Sequence, residues 1–206
     1  MCTMYTVPVS MLNPLIDQLE KDYPSNHDGC SAIGLPDQWV DGDTAILWRF
    51  QSMGFGNFVK TLRILSRSVS RVCVHMRAAT QGFPSVANCH FFDTDSGDWT
   101  YCHNGMIHDT LHRVDSLAIG PQLDGREYGD LVSFPSHWDF ANVIAANQCT
   151  GSVVVHRSRC GKLYASPYYT AFGSRPLATD WQEVTNKGWY RVVSECEISD
   201  SETRLN

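Results

Sequence analysis

Apolar residues recur along the chain at two spacings, and these divide it into strands and helices. Cys2–Val9 (C-T-M-Y-T-V-P-V), Thr44–Phe50 (T-A-I-L-W-R-F) and Arg71–Arg77 read as strands, the last by alternation. Pro8 predicts that the first of these frays or lies at a sheet edge, because proline supplies no N–H to a ladder. Met11–Lys21 places Leu12, Leu15, Ile16 and Leu19 on one stripe, and Asn57–Ser68 does the same with Phe58, Leu62 and Leu65. Both stripes predict amphipathic helices with one buried face. Asp22–Ala32, with Pro24, Asn26, Asp28 and Gly29, predicts a turn-rich loop. Gly97–Ile107 predicts a hairpin turning at Asn104-Gly105, with Trp99, Tyr101 and His103 on one side of the approach. His137–Ala146 predicts a helix, and Gly151–His156 with Lys162–Ser166 predicts a second hairpin across Arg159-Cys160-Gly161. Val184–Glu195 adds late strand material, and Ser199–Asn206 reads as a polar tail, leaving residues 1–198 as one domain.

Recurrent short hairpins interleaved with helices predict an α+β fold of antiparallel sheets, not a doubly wound parallel sheet. No glycine-rich phosphate loop follows a strand, so nucleotide binding of that kind has no support. Composition narrows the classes further. The hydrophobic share is 43% and the charged share only 18%, too few charges for a disordered chain or a coiled coil. The net charge is −6 and the 16 basic residues are scattered, which argues against nucleic-acid binding. No apolar run approaches the ~20 residues of a membrane span, and the first ten residues do not resemble a secretory signal. The eight cysteines include no C-x-x-C pair and predict reduced thiols in a cytosol, most of them packed as small buried hydrophobes. His108 and His112 have zinc-like spacing without the glutamate of H-E-x-x-H, and Cys89-His90 and Cys102-His103 point to opposite sides of a strand, so no metal is expected. Trp99, Tyr101, Tyr164, Tyr168 and Tyr169 are expected in the core or a ligand pocket.

Three features carry candidate chemistry. Cys2 becomes the first residue if Met1 is removed, as a small second residue favours. A thiol at a chain start has its own α-amine as a base, with a reference pKa of about 7.7–8.0; otherwise this cysteine is an accident of the start. Arg77 leaves a strand into Thr80-Gln81-Gly82, where a guanidinium holds a carboxylate through two parallel hydrogen bonds, or lies idle on the surface. Asn104-Gly105 is either a hairpin turn or an oxyanion hole made by one side-chain N–H and one backbone N–H.

The order of these features resembles the glutaminase domain of class II glutamine amidotransferases, which are N-terminal nucleophile (Ntn) hydrolases. The pieces are Cys2, H-M-R-A-A-T-Q-G (His75 to Gly82), N-C-H-F-F (Asn88 to Phe92), H-N-G (His103 to Gly105) and V-D-S-L (Val114 to Leu117). Asn26 to Ile33 also resembles the D-G-W-G-I-A stretch of the small single-domain members, which include hydrolases of γ-glutamyl amides. The departures are Thr3 after the cysteine, Phe91 in the usual place of a proline, Leu117 in the place of a glutamate, and a short gap before Asp115.

The resemblance implies a four-layer αββα sandwich of two antiparallel sheets. It implies that Cys2 attacks the glutamine side-chain amide, that Asn104 and Gly105 hold the oxyanion, and that no metal or organic cofactor takes part. Arg77 and Asp115 would grip the substrate α-carboxylate and α-ammonium, with Asp124 and Asp130 as alternatives to Asp115. Thr80, Gly82 and His103 would shape the substrate loop. The chain's 206 residues leave no room for a synthase domain, so a separate ammonia-accepting synthase chain is the expected partner. Two variants share the same residues or the same fold: hydrolysis of another γ-glutamyl amide, and a catalytically silent binding or scaffold member. A different enzyme class would use an internal pair such as Cys30 and His75.

Overall fold

The computed structural model describes residues 2–36, 46, 48–79, 84–93, 99–105, 141–159 and 161–195. In chain order its main elements are β1 (Thr3–Pro8), α1 (Leu12–Asp22), β2 (Cys30–Leu35), β3 (Trp48–Ser52), α2 (Phe55–Leu65), β4 (Arg71–Met76), β5 (Phe92–Asp93), β6 (Trp99–Gly105), β7 (Ala141–Asn147), β8 (Val153–Arg157), β9 (Tyr164–Ala165), β10 (Phe172–Gly173), β11 (Gln182–Glu183) and β12 (Gly188–Arg191). Among the described residues these form two antiparallel sheets, one ordered β11-β9-β10-β1-β4-β2-β3 and the other β12-β8-β7-β6-β5.

Each helix follows from its stripe and its ends. Pro14 sits in the first turn of α1, where its missing N–H breaks no helical bond, and Lys21 lies in the last turn, complementing the helix dipole. Leu15, Ile16 and Leu19 face inward and are fully buried. In α2, Phe58 and Leu62 do the same, and the Trp48 indole N–H donates to the Leu65 carbonyl at 3.0 Å, satisfying one orphan acceptor at the helix end. That indole lies over Gly34, where any Cβ would collide with it, so the β2–β3 pairing requires glycine there.

Alternation along the strands builds three separate apolar clusters. Tyr5, Val7, Cys30, Ala32, Val72, Val74 and Met76 pack with both helices on one face of the larger sheet. Met4, Ile33, Leu35, Cys73, Cys102, Ile144, Ala146 and Val155 fill the gap between the sheets. Trp99, Tyr101, Val143, Ala145 and Val154 are buried on the other face of the smaller sheet. The order is therefore helices, sheet, sheet, as an α+β sandwich requires. No helix covers the outer face of the smaller sheet among the described residues.

Several expectations are corrected. Residues 141–147 form a strand, not a helix: A-N-V-I-A-A-N is buried on both faces, and such a run carries no alternation to separate it from a buried helix. Asn104-Gly105 is not a hairpin turn, because both residues are rungs of the β6–β7 ladder, Asn104 opposite Asn142 and Gly105 opposite Ala141. The second expected hairpin does not form either; β8 and β9 belong to different sheets. Asn142 pins the crossover between them, accepting from the Ser158 N–H and hydroxyl at 2.8 and 3.0 Å and donating to the Lys162 carbonyl at 3.3 Å. β1 is an interior strand between β10 and β4, with Pro8 at its last rung, and the Asp22–Ala32 loop is shortened by a β2 that starts at Cys30.

Candidate functional site

β1 and β4 run antiparallel with Thr3 opposite Met76, so Cys2 and Arg77 meet one step beyond the last rung. The backbone just after Arg77 closes on the thiol. The Ala78 N–H donates to Cys2 Sγ at 3.4 Å, and Cys2 Sγ lies 3.6 Å from the Ala78 carbonyl. Alternation from Met4 points Cys2 toward the gap between the sheets, and alternation from Cys73 points His75 the same way. Arg77 is only 1% exposed. Its backbone is held on both sides, the N–H by Gly29 O at 2.8 Å and the carbonyl by the Asp28 N–H at 3.1 Å. The Asp28 carboxylate then accepts the Ala79 N–H at 2.7 Å, fixing the turn out of β4.

Asn104 reaches the same end of the gap from the opposite sheet. Its side-chain N–H donates to Ser174 Oγ at 3.4 Å, and Ser174 Oγ also accepts the Met4 N–H at 3.1 Å. One serine thus joins Asn104 to a residue two places from Cys2. Asn104 Oδ1 is buried and has no partner among the described residues. Gly105 has φ of 122°, a backbone conformation that side-chain-bearing residues rarely adopt.

Three histidines stand beside this corner. The His75 and His90 rings stack at 3.8 Å and 6°, and His90 lies 4.5 Å from His103. Burial, then the neighbouring His103 and Arg77, hold His75 down to about 3; burial, then His75, His103 and Arg77, hold His90 well below the usual histidine range. Both rings are therefore neutral at pH 7. The sign of the pH effect follows. The unfolded chain binds these protons near pH 6.5 and the folded chain does not, so stability is full above pH 6.5 and falls as pH drops toward 3. His75 alone is expected to cost about 2 kcal/mol by pH 5. Denaturant midpoints at pH 7.5 and pH 5 check this; equal midpoints would contradict it.

Four other described cysteines fit a structural role. Burial raises Cys30 to about 12 and Cys73 to about 11, and raises Cys89 and Cys102 as well, so none is a thiolate at neutral pH. The Cys30–His75 pair is not built: Cys30 faces the helices, His75 faces the gap, and the residue opposite His75 is Ser31. Cys2 is half-buried and Cys149 is exposed.

Of the residues anticipated from sequence, Cys2, Arg77, Asn104 and Gly105 gather at one end of the inter-sheet gap. The His103 ring faces the Gly105 carbonyl at 3.2 Å. Thr80, Gly82 and Asp115, with Asp124 and Asp130, lie outside the described residues. Ser174, Asp28 and His90 were not anticipated as site residues. Asp28 and His90 sit in recognisable motifs, whereas nothing in the sequence marks Ser174, whose place depends on β10 lying against β1. A surface groove of about 530 Å³ shares Ser174 with the corner but is lined by none of Cys2, Arg77, Asn104 and Gly105; its other walls are Gln18, Lys21, Lys162, Tyr164, Arg175 and Pro176. No group of three or more metal-ligating side chains occurs among the described residues, and no described helix is long and apolar enough to cross a membrane. The chain matches no protein-family model and no curated protein sequence.

Proposed function

We propose that the protein is a cysteine-dependent amidohydrolase of the class II glutamine amidotransferase type, with an Ntn-hydrolase fold. The observation that supports this most is the convergence of Cys2, Arg77 and Asn104-Gly105, three separate parts of the chain, on one end of the gap between two antiparallel sheets. In this mechanism Met1 is removed and Cys2 supplies both thiol and α-amine. The Cys2 sulfur attacks the side-chain carbonyl carbon of glutamine while its proton passes to the amine. The oxyanion takes hydrogen bonds from the Asn104 side chain and the Gly105 backbone N–H. The amine then protonates the leaving nitrogen, ammonia departs, and water cleaves the thioester to release glutamate and regenerate the thiol. Arg77 holds the α-carboxylate through its two-pronged guanidinium.

The likeness of Asn26 to Ile33 to the small single-domain members supports a second form of the same chemistry, in which the substrate is a larger γ-glutamyl amide and the leaving group is an amine other than ammonia. A diazo-ketone analogue of glutamine tests the shared core. It is expected to alkylate Cys2, leave the exposed Cys149 untouched, and react only with chains whose intact mass shows Met1 removed. Labelling of Cys149 alone, or none at all, would overturn the proposal. Comparing turnover of glutamine with that of extended γ-glutamyl amides separates the two forms.

A further inference from the structure

The smaller sheet has a gap in its edge at one residue, and side chains fill it. β5 pairs with β6 only at Tyr101 and Thr100, so it ends before His103. At His103 two imidazoles take the place of a neighbouring strand. The His103 N–H donates to His90 Nδ1 at 3.2 Å, and the His75 Nε2 N–H donates to the His103 carbonyl at 3.1 Å. The His103 ring continues the pattern, its Nδ1 N–H donating to the Gly105 carbonyl at 3.2 Å. A carbonyl only accepts and a backbone N–H only donates, so these contacts dictate the tautomers. His75 carries its proton on Nε2, His90 has a bare Nδ1, and His103 carries its proton on Nδ1. His75 Nδ1 is buried without a partner among the described residues, as fits its unprotonated nitrogen. Phe91, at φ of 36°, turns the chain between His90 and the start of β5; the proline found there in the related motif is not free to take that conformation.

We infer that His75, His90 and His103 form a three-histidine brace that sets the Asn104-Gly105 peptide, acting as positioning residues for the oxyanion hole. This rests on the amidohydrolase function proposed above. None of the three need touch the reacting atoms. His90 and His75 fix both polar groups of the residue before Asn104, and His103 fixes the carbonyl of Gly105, so the side-chain and backbone donors are held before substrate arrives. Preorganised donors are what an oxyanion hole requires, and small displacements of them lower turnover without lowering substrate affinity.

The test uses pairs of variants in the full-length protein. His90→Leu removes the acceptor, while His90→Asn places an amide oxygen where Nδ1 stood. His75→Leu removes the donor, while His75→Gln restores an N–H at the position of Nε2. The leucine variants are expected to lose ten- to a hundredfold in kcat, with KM within about threefold, and the amide variants to recover most of it. Nitrogen-15 imidazole shifts on the unmodified protein test the geometry without any substitution, with a protonated Nε2 expected on both His75 and His90. The opposite tautomer on either ring overturns the brace. So does a folded His90→Leu protein with unchanged kcat, or a loss that appears wholly in KM. A leucine variant that fails to fold leaves the decision to its amide counterpart, where a kcat as low as that of an oxyanion-hole knockout counts against the brace. Unmodified protein that turns over neither glutamine nor any γ-glutamyl amide overturns the amidohydrolase proposal itself, and the catalytic role of the brace with it.

Discussion

Replacing Cys2 with alanine is expected to abolish amide hydrolysis, with a fall in kcat on the order of 10⁶, the scale reached when a covalent nucleophile is removed. The fold should survive. The thiol is half-buried, and it makes two weak contacts to the Ala78 backbone, at 3.4 and 3.6 Å. Losing them is expected to cost about 1 kcal/mol or less. Alanine is also small enough to permit Met1 removal, so the free α-amine remains and only the sulfur is missing. Cys2→Ser supplies the complementary case. Its hydroxyl retains the shape and the neighbouring amine, but it is a far weaker nucleophile, so most activity should still be lost. Ammonia release, thermal midpoint and intact mass on the same samples decide the matter. An alanine variant that keeps its activity would move the nucleophile elsewhere. The four buried cysteines among the described residues are poor replacements, because burial keeps their thiols protonated.

The parts of the fold legible in the sequence were those where apolar and polar positions alternate at a fixed period. α1 and α2 each bury a single stripe, Leu15-Ile16-Leu19 in one and Phe58-Leu62 in the other, and both are visible as period-3.6 patterns. β4 is buried on both faces, yet it was legible because polar Arg71, His75 and Arg77 alternate with apolar Val72, Val74 and Met76. β7 was not, since Val143 and Ala145 are buried on one side and Ile144 and Ala146 on the other. The hairpins failed for a different reason. Turn residues report local chain reversal, but whether the next strand returns to the same sheet depends on distant partners, here the Asn142 side chain across from Ser158 and Lys162. The same limit applies at the site. Cys2, Arg77 and Asn104-Gly105 stand out by residue type and order. Ser174 and the brace acquire their roles only when two sheets face each other, because His90 Nδ1 becomes a partner for the His103 N–H through tertiary placement alone.

Substitutions at Asn104 and Arg77 should give opposite kinetic signatures, which separates the two ends of the substrate. Asn104→Ala removes a donor that matters most when charge develops on the carbonyl oxygen, so kcat should fall about 10²–10³-fold with KM little changed. Its structural cost is small: Ser174 keeps its hydrogen bonds to both backbone groups of Met4, at 3.1 and 3.4 Å, when Asn104 Nδ2 is lost. Asn104→Asp is the sharper change. It is nearly isosteric but replaces an N–H donor by carboxylate oxygen, which repels the oxyanion, so its kcat should lie below that of the alanine variant. Arg77→Lys keeps a positive charge beside His75, His90 and Cys89, preserving the local field that opposes protonation of those rings. What it loses is the planar two-pronged grip on a carboxylate, an interaction made equally in the ground and transition states. KM should therefore rise about tenfold or more while kcat changes little. An amide substrate lacking the α-carboxylate should then be indifferent to Arg77→Lys yet remain sensitive to Asn104→Ala. If both substitutions altered KM alone, the oxyanion role of Asn104 would be lost; if both altered kcat alone, Arg77 would not be holding the carboxylate.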